Sequence, residues 1–213
     1  MAAASSGTCA QLVRLMVVMG VIASSFDVFA GWTPFPPWQR IEELANTRCN
    51  VCHGLGGVGA NPFFPKLAGQ NAGYLFRQMQ NFRSGIRKGP VMSYQLSDLQ
   101  TEQVAELAKH FAGLSRPPVV PGQNRLEAVG EKIFGQGISE RGTEACAGCH
   151  GVDGRGGGDM PRLATQHAGY VADQLRRFQE GTRVGGQTPE HPVADALTEE
   201  EILAVSIYIQ ALP

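Results

Sequence analysis

The sequence predicts an all-α protein built from two copies of one small helical domain, and three observations support this fold class. The motif C-x-x-C-H occurs at residues 49–53 and again at residues 146–150. Apolar side chains recur at the three-to-four-residue spacing of amphipathic helices around each motif. The segments that follow the two motifs match in order, at offsets of 96 to 98 residues, so the chain is interpreted as one duplicated domain.

Each C-x-x-C-H motif is the attachment signature of a c-type haem, because its two thiols add to the vinyl groups of the porphyrin. The histidine beside the second cysteine then lies under the iron and binds it. A redox dithiol or a zinc site is the alternative for one such motif, but two copies inside a long repeat favour haem. The prediction is two covalently bound haem c groups, held by Cys49, Cys52, Cys146 and Cys149, with His53 and His150 as proximal iron ligands.

Composition and charge limit the partners of this chain. The 213 residues carry a net charge of −1, which gives no electrostatic case for binding nucleic acid. Residues 31–115 hold eight Lys/Arg and five Asp/Glu, a net +3, whereas residues 116–213 hold nine and thirteen, a net −4. This polarity predicts that the molecule is oriented between two partners, with an ordinary scatter of surface charge as the alternative.

The N-terminal segment has the pattern of a secretory signal. Arg14 precedes an apolar run at residues 15–23, which is too short to span a bilayer, and residues 28–30 (Val-Phe-Ala) offer a cleavage site. We therefore expect a signal peptide at 1–30 that is cleaved after Ala30, with an uncleaved membrane anchor as the alternative. Export to the periplasm agrees with the motifs, since haem c is attached outside the bacterial cytoplasm.

Helical periodicity places three helices in the first predicted domain, residues 31–115. They are expected at about 38–48, 72–84 and 101–112, with Met92 in a loop between the second and the third. Residues 116–124 contain prolines without helical periodicity and are predicted to be a linker.

The second predicted domain, residues 125–213, repeats this order. Its first helix is expected at about 125–136 and its last at 198–211, where Thr198 and Glu201 form a capping box. The inward-facing residues of the first of these helices are predicted to be Leu126, Val129, Ile133 and Phe134.

Two runs of sequence and the closing helix carry a resemblance to a known family. The run Pro-Lys-Leu-Ala-Gly-Gln-x-Ala-x-Tyr-Leu at residues 65–75, its copy at residues 161–171 and the segment Ser-Ile-Tyr-Ile-Gln at residues 206–210 resemble the dihaem cytochrome c4 family. The resemblance implies two class I cytochrome c domains, each with a few helices wrapped around one haem. It also implies a periplasmic electron carrier between a respiratory donor and a terminal oxidase, and it leaves peripheral membrane association open.

The same resemblance implies further groups around the two irons. The carbonyls of Pro65 and Pro161 are expected to accept a hydrogen bond from the second ring nitrogen of each proximal histidine. Met92 matches the position of the family's methionine and is the predicted sixth ligand of the first iron. Met79 is the rival, but its helical spacing favours a place in the core.

The second half departs from the family pattern, because no methionine follows Met160. His191 lies in the loop that corresponds to Met92 and is the best-placed ligand for the second iron. An open coordination position and Met160 are the alternatives, although Met160 directly precedes Pro161 and is expected on the proximal face. His167 is interpreted as a surface residue.

The favoured function is electron transfer without catalysis, through redox protein partners. A small haem enzyme or the cytochrome subunit of a dehydrogenase is the alternative, because the missing methionine of the second half is compatible with an open iron position.

Overall fold

The computed structural model describes residues 37–120, 125–183 and 191–213. The predicted signal peptide, residues 31–36, residues 121–124 of the predicted linker and residues 184–190 lie outside the described residues. The helices of the first half are α1 (Pro37–Leu44), α2 (Asn50–His53), α3 (Ala72–Arg83), α4 (Pro90–Leu96) and α5 (Thr101–Gly113). Those of the second half are α6 (Glu127–Gln136), α7 (Cys146–His150), α8 (Ala168–Gln179), α9 (Pro192–Asp195) and α10 (Glu199–Ala211).

The described residues contain isolated β-bridges but no β-strand, which confirms the all-α prediction. Among these residues, no helix has the length and apolar character that crossing a membrane requires.

The core of the first half lies between α3 and α5, which the periodicity predicted to within one residue at each end. Gly85 adopts a φ of 77° just beyond α3, a left-handed conformation that glycine takes at low cost and that ends the helix. The inward face of α5 is buried at Val104, Leu107, Ala108 and Phe111. These side chains form one apolar cluster with Ala45, Leu75, Leu96 and Leu99.

A π-helical turn joins α1 to the first haem motif. In the segment Ala45–Cys49, the N–H of Asn50 bonds to the carbonyl of Ala45, one residue further back than in an α-helix. The Ala45 side chain is fully buried at this point. The turn brings Cys49 to the edge of the apolar cluster, where it packs against the core.

Met92 lies on a helix, so the prediction of a loop at this position is wrong. Gly89 and Pro90 begin α4, and proline is favoured at the first helical position because its missing N–H would be unpaired there. The Ser93 hydroxyl donates to the Phe82 carbonyl at 2.8 Å and fastens α4 to the end of α3. Met92 is therefore fixed against the core instead of lying in a mobile connection.

In the second half, α6 and α10 cross at very short range. A β-carbon on Gly130 would lie 2.1 Å from the carbonyl oxygen of Ala204, so the two backbones touch at this glycine. Ile133 and Phe134 follow on the same side and are buried, as predicted. Val129 is 46% exposed and the prediction that it faces inward is wrong, because Gly130 occupies the face that meets α10.

The predicted capping box at the start of α10 is confirmed. The Thr198 hydroxyl accepts from the Glu201 N–H, and the Glu201 carboxylate accepts from the Thr198 N–H at 2.8 Å. The buried face of α10 includes Ile202, Val205 and Ile209. They belong to the second apolar cluster, which spans Ile133 to Leu212.

Candidate functional site

A single cavity of about 920 Å³ is lined by residues from both halves of the described chain. It brings together every residue predicted for the haem sites: Cys49, Cys52, His53, Met92, Cys146, Cys149, His150 and His191. The volume is at the upper end of the range for cofactor sites in proteins. The two motifs therefore open into one shared space.

The two proximal histidines have matching surroundings. His53 Nδ1 lies 2.9 Å from the Pro65 carbonyl oxygen, and His150 Nδ1 lies 3.1 Å from that of Pro161. Each carbonyl accepts a hydrogen bond from the Nδ1–H group, which leaves the lone pair of Nε2 free for a metal. Burial lowers the pKa of both imidazoles, while the carbonyl contacts act in the opposite direction. Burial thus favours the neutral imidazole, which is the form that binds iron.

The four motif thiols are at the cavity wall and none is in a disulfide. Burial raises the pKa of Cys49 to about 11, despite the charge of Arg48, and burial also raises the pKa of Cys146 to about 11. These two thiols are neutral at ordinary pH. A redox-active dithiol needs a lowered thiol pKa, so their environment fits covalent attachment of a hydrophobic group better than disulfide exchange.

Met92 is half-buried, packs against the first apolar cluster and lines the cavity. Met79, the rival thioether, also packs against this cluster from α3 and reaches the cavity wall. Phe82 lies three residues after Met79 on α3, and the centre of its ring is 4.5 Å from the guanidinium carbon of Arg87.

His191 is half-buried at the start of α9 and lines the cavity together with His150. Its ring lies 4.7 Å from that of Phe178, at an angle of 34°. The Ala194 N–H bonds the His191 carbonyl at 2.8 Å and makes a longer contact of 3.3 Å with Nδ1. Burial is the main cause of the lowered pKa of His191, and the neighbouring His150 acts in the same direction.

Met160, the competing ligand for the second iron, is anchored close to the proximal peptide. Its backbone pairs with Gly157 in an isolated bridge, and its carbonyl also accepts from Asn71 Nδ2 at 2.6 Å. The Met160 side chain is 38% exposed. Pro161, which contacts His150, is the next residue along the chain.

Three buried arginines line the cavity, and two of them, Arg87 and Arg183, join the halves through a shared glutamine; sequence reasoning did not identify these two as functional. Arg87 donates to Gln174 Oε1 at 2.6 Å and to the Tyr170 hydroxyl at 3.0 Å. Arg183 donates to the same Gln174 oxygen at 2.7 Å and to the Tyr74 hydroxyl at 2.7 Å. The only sequence signal was the position of both arginines in the matched repeat.

These arginines provide a test of whether the cavity fits haem. Within the described residues, neither guanidinium is hydrogen-bonded to a carboxylate, and Arg183 Nε is buried without a partner. Buried charges are normally paired, so the cavity is suited to a ligand that carries its own anionic groups. Haem has two propionate carboxylates in addition to an apolar ring, and the residues present fit it.

His167 joins the two halves, and its interpretation as a surface residue is wrong. Its Nε2 lies 3.0 Å from the Gly59 carbonyl oxygen, across 108 residues of sequence. A β-carbon on Gly59 would lie only 2.5 Å from this nitrogen, so the glycine makes the close approach possible. Sequence separation hid this contact, because no local pattern distinguishes His167 from an exposed residue at a helix start.

Comparison with known proteins matches both halves to haem-protein families. Residues 128–213 match the family model described as cytochrome c. Residues 36–110 match the model described as cytochrome c oxidase, cbb3-type, subunit III.

Individual relatives cover most of the chain. It is 37% identical to cytochrome c4 of Azotobacter vinelandii over 77% of this chain and 84% of the relative. It is 39% identical to cytochrome c4 of Pseudomonas aeruginosa over 77% and 83%, respectively. A protein of Thiomonas intermedia named thiosulfate dehydrogenase electron acceptor is 34% identical over 94% of this chain and 91% of its own length.

Among solved structures, reduced recombinant cytochrome c4 from Pseudomonas stutzeri superposes with a TM-score of 0.77 and 33% identity. The match covers 84% of this chain and 100% of that one. Together with the cavity, these similarities define a c-type cytochrome with two covalently bound haem c groups that functions in electron transfer. The chain belongs to the cytochrome c4 family, and its fold is the predicted tandem pair of class I cytochrome c domains.

Proposed function

We propose that this protein is a periplasmic electron carrier between a respiratory donor and an acceptor such as a terminal oxidase. The observation that carries the proposal is the single cavity lined by both His53 and His150, because two haems in one cavity give electrons a path between the halves. When bound, haem c supplies a one-electron iron couple. The apolar clusters of the two halves border the cavity and would limit the access of water to the haems, which favours a stable redox couple over side reactions.

The chain's own residues hold each haem in place. Cys49 and Cys52 attach the first haem and Cys146 and Cys149 the second, while His53 and His150 are the proximal ligands. Met92 is the sixth ligand of the first iron, because it lines the cavity from a helix that is fastened to α3. A thioether favours ferrous iron, so this pairing raises the potential of the first haem.

His191 is the sixth ligand of the second iron. If Nε2 binds the iron, the proton of the neutral ring lies on Nδ1. A protonated Nδ1 cannot accept a hydrogen bond from the Ala194 N–H, so the 3.3 Å contact between them would be lost. The Ala194 N–H keeps its 2.8 Å bond to the His191 carbonyl, so the change costs little. Imidazole lacks the thioether's preference for ferrous iron, and the second haem therefore has the lower potential.

The proposed maturation has a direct test. We assign residues 1–30 to a cleaved signal peptide, 31–115 to the first cytochrome domain, 116–124 to a linker and 125–213 to the second cytochrome domain. The intact mass of the exported protein should equal residues 31–213 plus two haems. A mass that matches the bare chain would exclude covalent attachment, and an uncleaved mass would identify a membrane anchor.

A second candidate function is that of an electron-accepting subunit of a dehydrogenase, or of a haem enzyme with an open second iron. Two observations favour it: the similarity to the Thiomonas intermedia protein and the absence of a methionine after Met160. Carbon monoxide added to the reduced protein separates the open-iron form from a simple carrier. A carrier with two six-coordinate haems binds carbon monoxide poorly, whereas an open iron binds it at once and shifts the Soret band.

A further inference from the structure

The peptide that follows each proximal proline is bonded to a glutamine of the other half. The Lys66 N–H donates to Gln166 Oε1 at 2.9 Å, and Gln166 Nε2 donates back to the Lys66 carbonyl at 3.0 Å. In the reciprocal arrangement, the Arg162 N–H donates to Gln70 Oε1 at 2.7 Å, and Gln70 Nε2 donates to the Arg162 carbonyl at 2.8 Å. All four residues are buried. The two halves are thus joined by a matched pair of two-bond clamps.

Each clamp is connected to a proximal histidine through one peptide group. The Lys66 N–H and the Pro65 carbonyl belong to one peptide group, and that carbonyl lies 2.9 Å from His53 Nδ1. Gln166 of the second half is therefore linked to His53 of the first through a single polarisable amide. Gln70 of the first half is linked to His150 of the second through the corresponding peptide of Pro161 and Arg162.

The physical consequence concerns charge on the imidazole. A hydrogen bond to the N–H of a peptide group polarises its carbonyl and makes that oxygen a stronger acceptor. A stronger acceptor draws the Nδ1 proton outward and makes the imidazole a more basic iron ligand. A more basic ligand stabilises ferric iron, so this second hydrogen bond lowers the haem potential.

The backbone fixes both glutamines in this orientation. The residue before each one, Gly69 or Thr165, adopts a left-handed conformation with φ of 66° or 64°. Each Oε1 also accepts from the backbone N–H of the next residue, at 2.9 Å for Gln70 and 3.0 Å for Gln166. A β-branched threonine is strained in this region. It nevertheless occupies the position because the rest of the turn determines its conformation.

We propose that Gln166 is a positioning residue for the first haem and Gln70 for the second, so that each half sets the potential of the haem in the other half. The inference rests on the proposed function in one respect, namely that His53 and His150 bind the irons. It gives the junction between the halves a role in electron transfer beyond holding them together.

The test is a redox titration of single variants of the full-length protein with both haems attached, in which each haem is followed by its own methyl resonances. Gln166→Met keeps the length of the side chain but removes both bonds to Lys66. It should raise the potential of the first haem and leave that of the second in place. Gln70→Met should do the reverse. Gln166→Glu keeps an acceptor for the Lys66 N–H and adds negative charge, so it should shift the first haem downward.

Gln210→Met is the matched control. Gln210 also accepts one backbone N–H, that of Ala168 at 2.9 Å, but this peptide does not contact a proximal histidine. This variant should leave both potentials unchanged.

Three outcomes would overturn the proposal: a shift of the haem in the same half, equal shifts of both haems, or shifts of the same sign for Gln166→Met and Gln166→Glu. If the unmutated protein does not carry electrons, that result would instead count against the proposed function. If Gln166→Met does not fold, the sign measured for Gln166→Glu decides.

Discussion

In the proposed assignment, the thioether of Met92 and the imidazole of His191 are the two side chains that distinguish the haem sites. The proximal sides are nearly equivalent, with contacts of 2.9 Å and 3.1 Å between imidazole and proline carbonyl. The candidate sixth ligands differ, because Met92 lines the cavity from the first half and His191 lines it from the second. If both assignments hold, the two haems differ in potential because of these two residues.

Replacing Met92 by alanine should abolish the sulfur-to-iron charge-transfer band of the oxidised protein and lower one of the two potentials, because the thioether's preference for ferrous iron is lost. The optical spectrum and a redox titration measure both effects. Met79→Leu is the matched control, since it conserves side-chain volume and removes the rival thioether that lines the cavity from the first half. If the band survives in Met92→Ala and disappears in Met79→Leu, the assignment is wrong.

Replacing His191 by alanine should remove a bis-histidine signal from the electron paramagnetic resonance spectrum of the oxidised protein. The unmutated protein should show bis-histidine and histidine–methionine signals in equal amounts. The histidine–methionine signal should survive the substitution. His110→Ala is the control, because His110 packs edge-on against Phe111 in α5 and should affect neither signal. Two histidine–methionine signals in the unmutated protein would point to Met160, and a high-spin signal would point to an open iron.

At the scale of elements, the two halves differ in how their helices pack and in how the chain enters each haem motif. In the second half, α6 meets α10 through Gly130, whose missing side chain lets the backbones touch. In the first half, the chain enters the haem motif through the π-helical turn at Ala45–Cys49. In the second half it instead passes through an extended residue, Ala145, before α7 begins. The first helix therefore reaches its haem motif differently in each half.

Gly130→Ala should lower the free energy of unfolding by about 1–3 kcal/mol, because a methyl group 2.1 Å from the Ala204 carbonyl oxygen forces α6 and α10 apart. Urea unfolding of the protein with both haems attached, followed by circular dichroism, measures the effect. Gly135→Ala is the control on the same helix, since nothing lies within 4 Å of its added β-carbon. This control should be neutral or stabilising by up to about 1 kcal/mol. Equal destabilisation by both substitutions would contradict the close crossing.

Helical periodicity was sufficient to predict the positions of α3, α5 and α10, because those helices are long. It missed α4 because the Gly89–Pro90 start signal precedes only a short helix. It also placed Val129 inside, since a hydrophobicity pattern assigns no weight to Gly130.

The haem motifs could be predicted because their residues are adjacent in sequence, whereas Met92 and His191 were assigned from the family resemblance and from the corresponding segment of the second half. The bonds of Gln70 and Gln166 could not, because their partners lie 92 and 100 residues away. The pairing of Arg87 with Gln174 was hidden for the same reason, at a separation of 87 residues. The junction between the halves depends on how the two copies pack, which the repeat alone does not specify.

At the scale of the molecule, the haems are part of the core. The apolar clusters of the two halves both border the same cavity of about 920 Å³, and an empty apolar cavity is destabilising. The double variant Cys146→Ala/Cys149→Ala should therefore lose the second haem and much of the helical signal of the second half. Far-ultraviolet circular dichroism and the haem-to-protein ratio measure both losses. An unchanged helical signal at half the haem content would show that the apolar clusters fold without the cofactor.

The distribution of charge over the molecule favours separate docking of donor and acceptor. The first half has a net charge of +3 and the second −4, and two exposed residues of opposite sign, Lys88 and Glu144, line the cavity from the two halves. Electrostatic attraction to oppositely charged partners raises association rates and is screened by salt. Rates with both partners should therefore fall as ionic strength rises.

Charge reversal in each half then identifies which partner docks there. Lys88→Glu should slow the reaction with one partner by about tenfold at low salt and leave the reaction with the other partner nearly unchanged. Glu144→Lys should show the opposite preference. Stopped-flow kinetics with each isolated partner, at low and at high ionic strength, measures the four rates. The difference between the variants should vanish in high salt, where the Debye length is about 3 Å at 1 M. Rates that do not depend on salt, or two variants that slow the same partner equally, would show that the charge asymmetry does not direct docking.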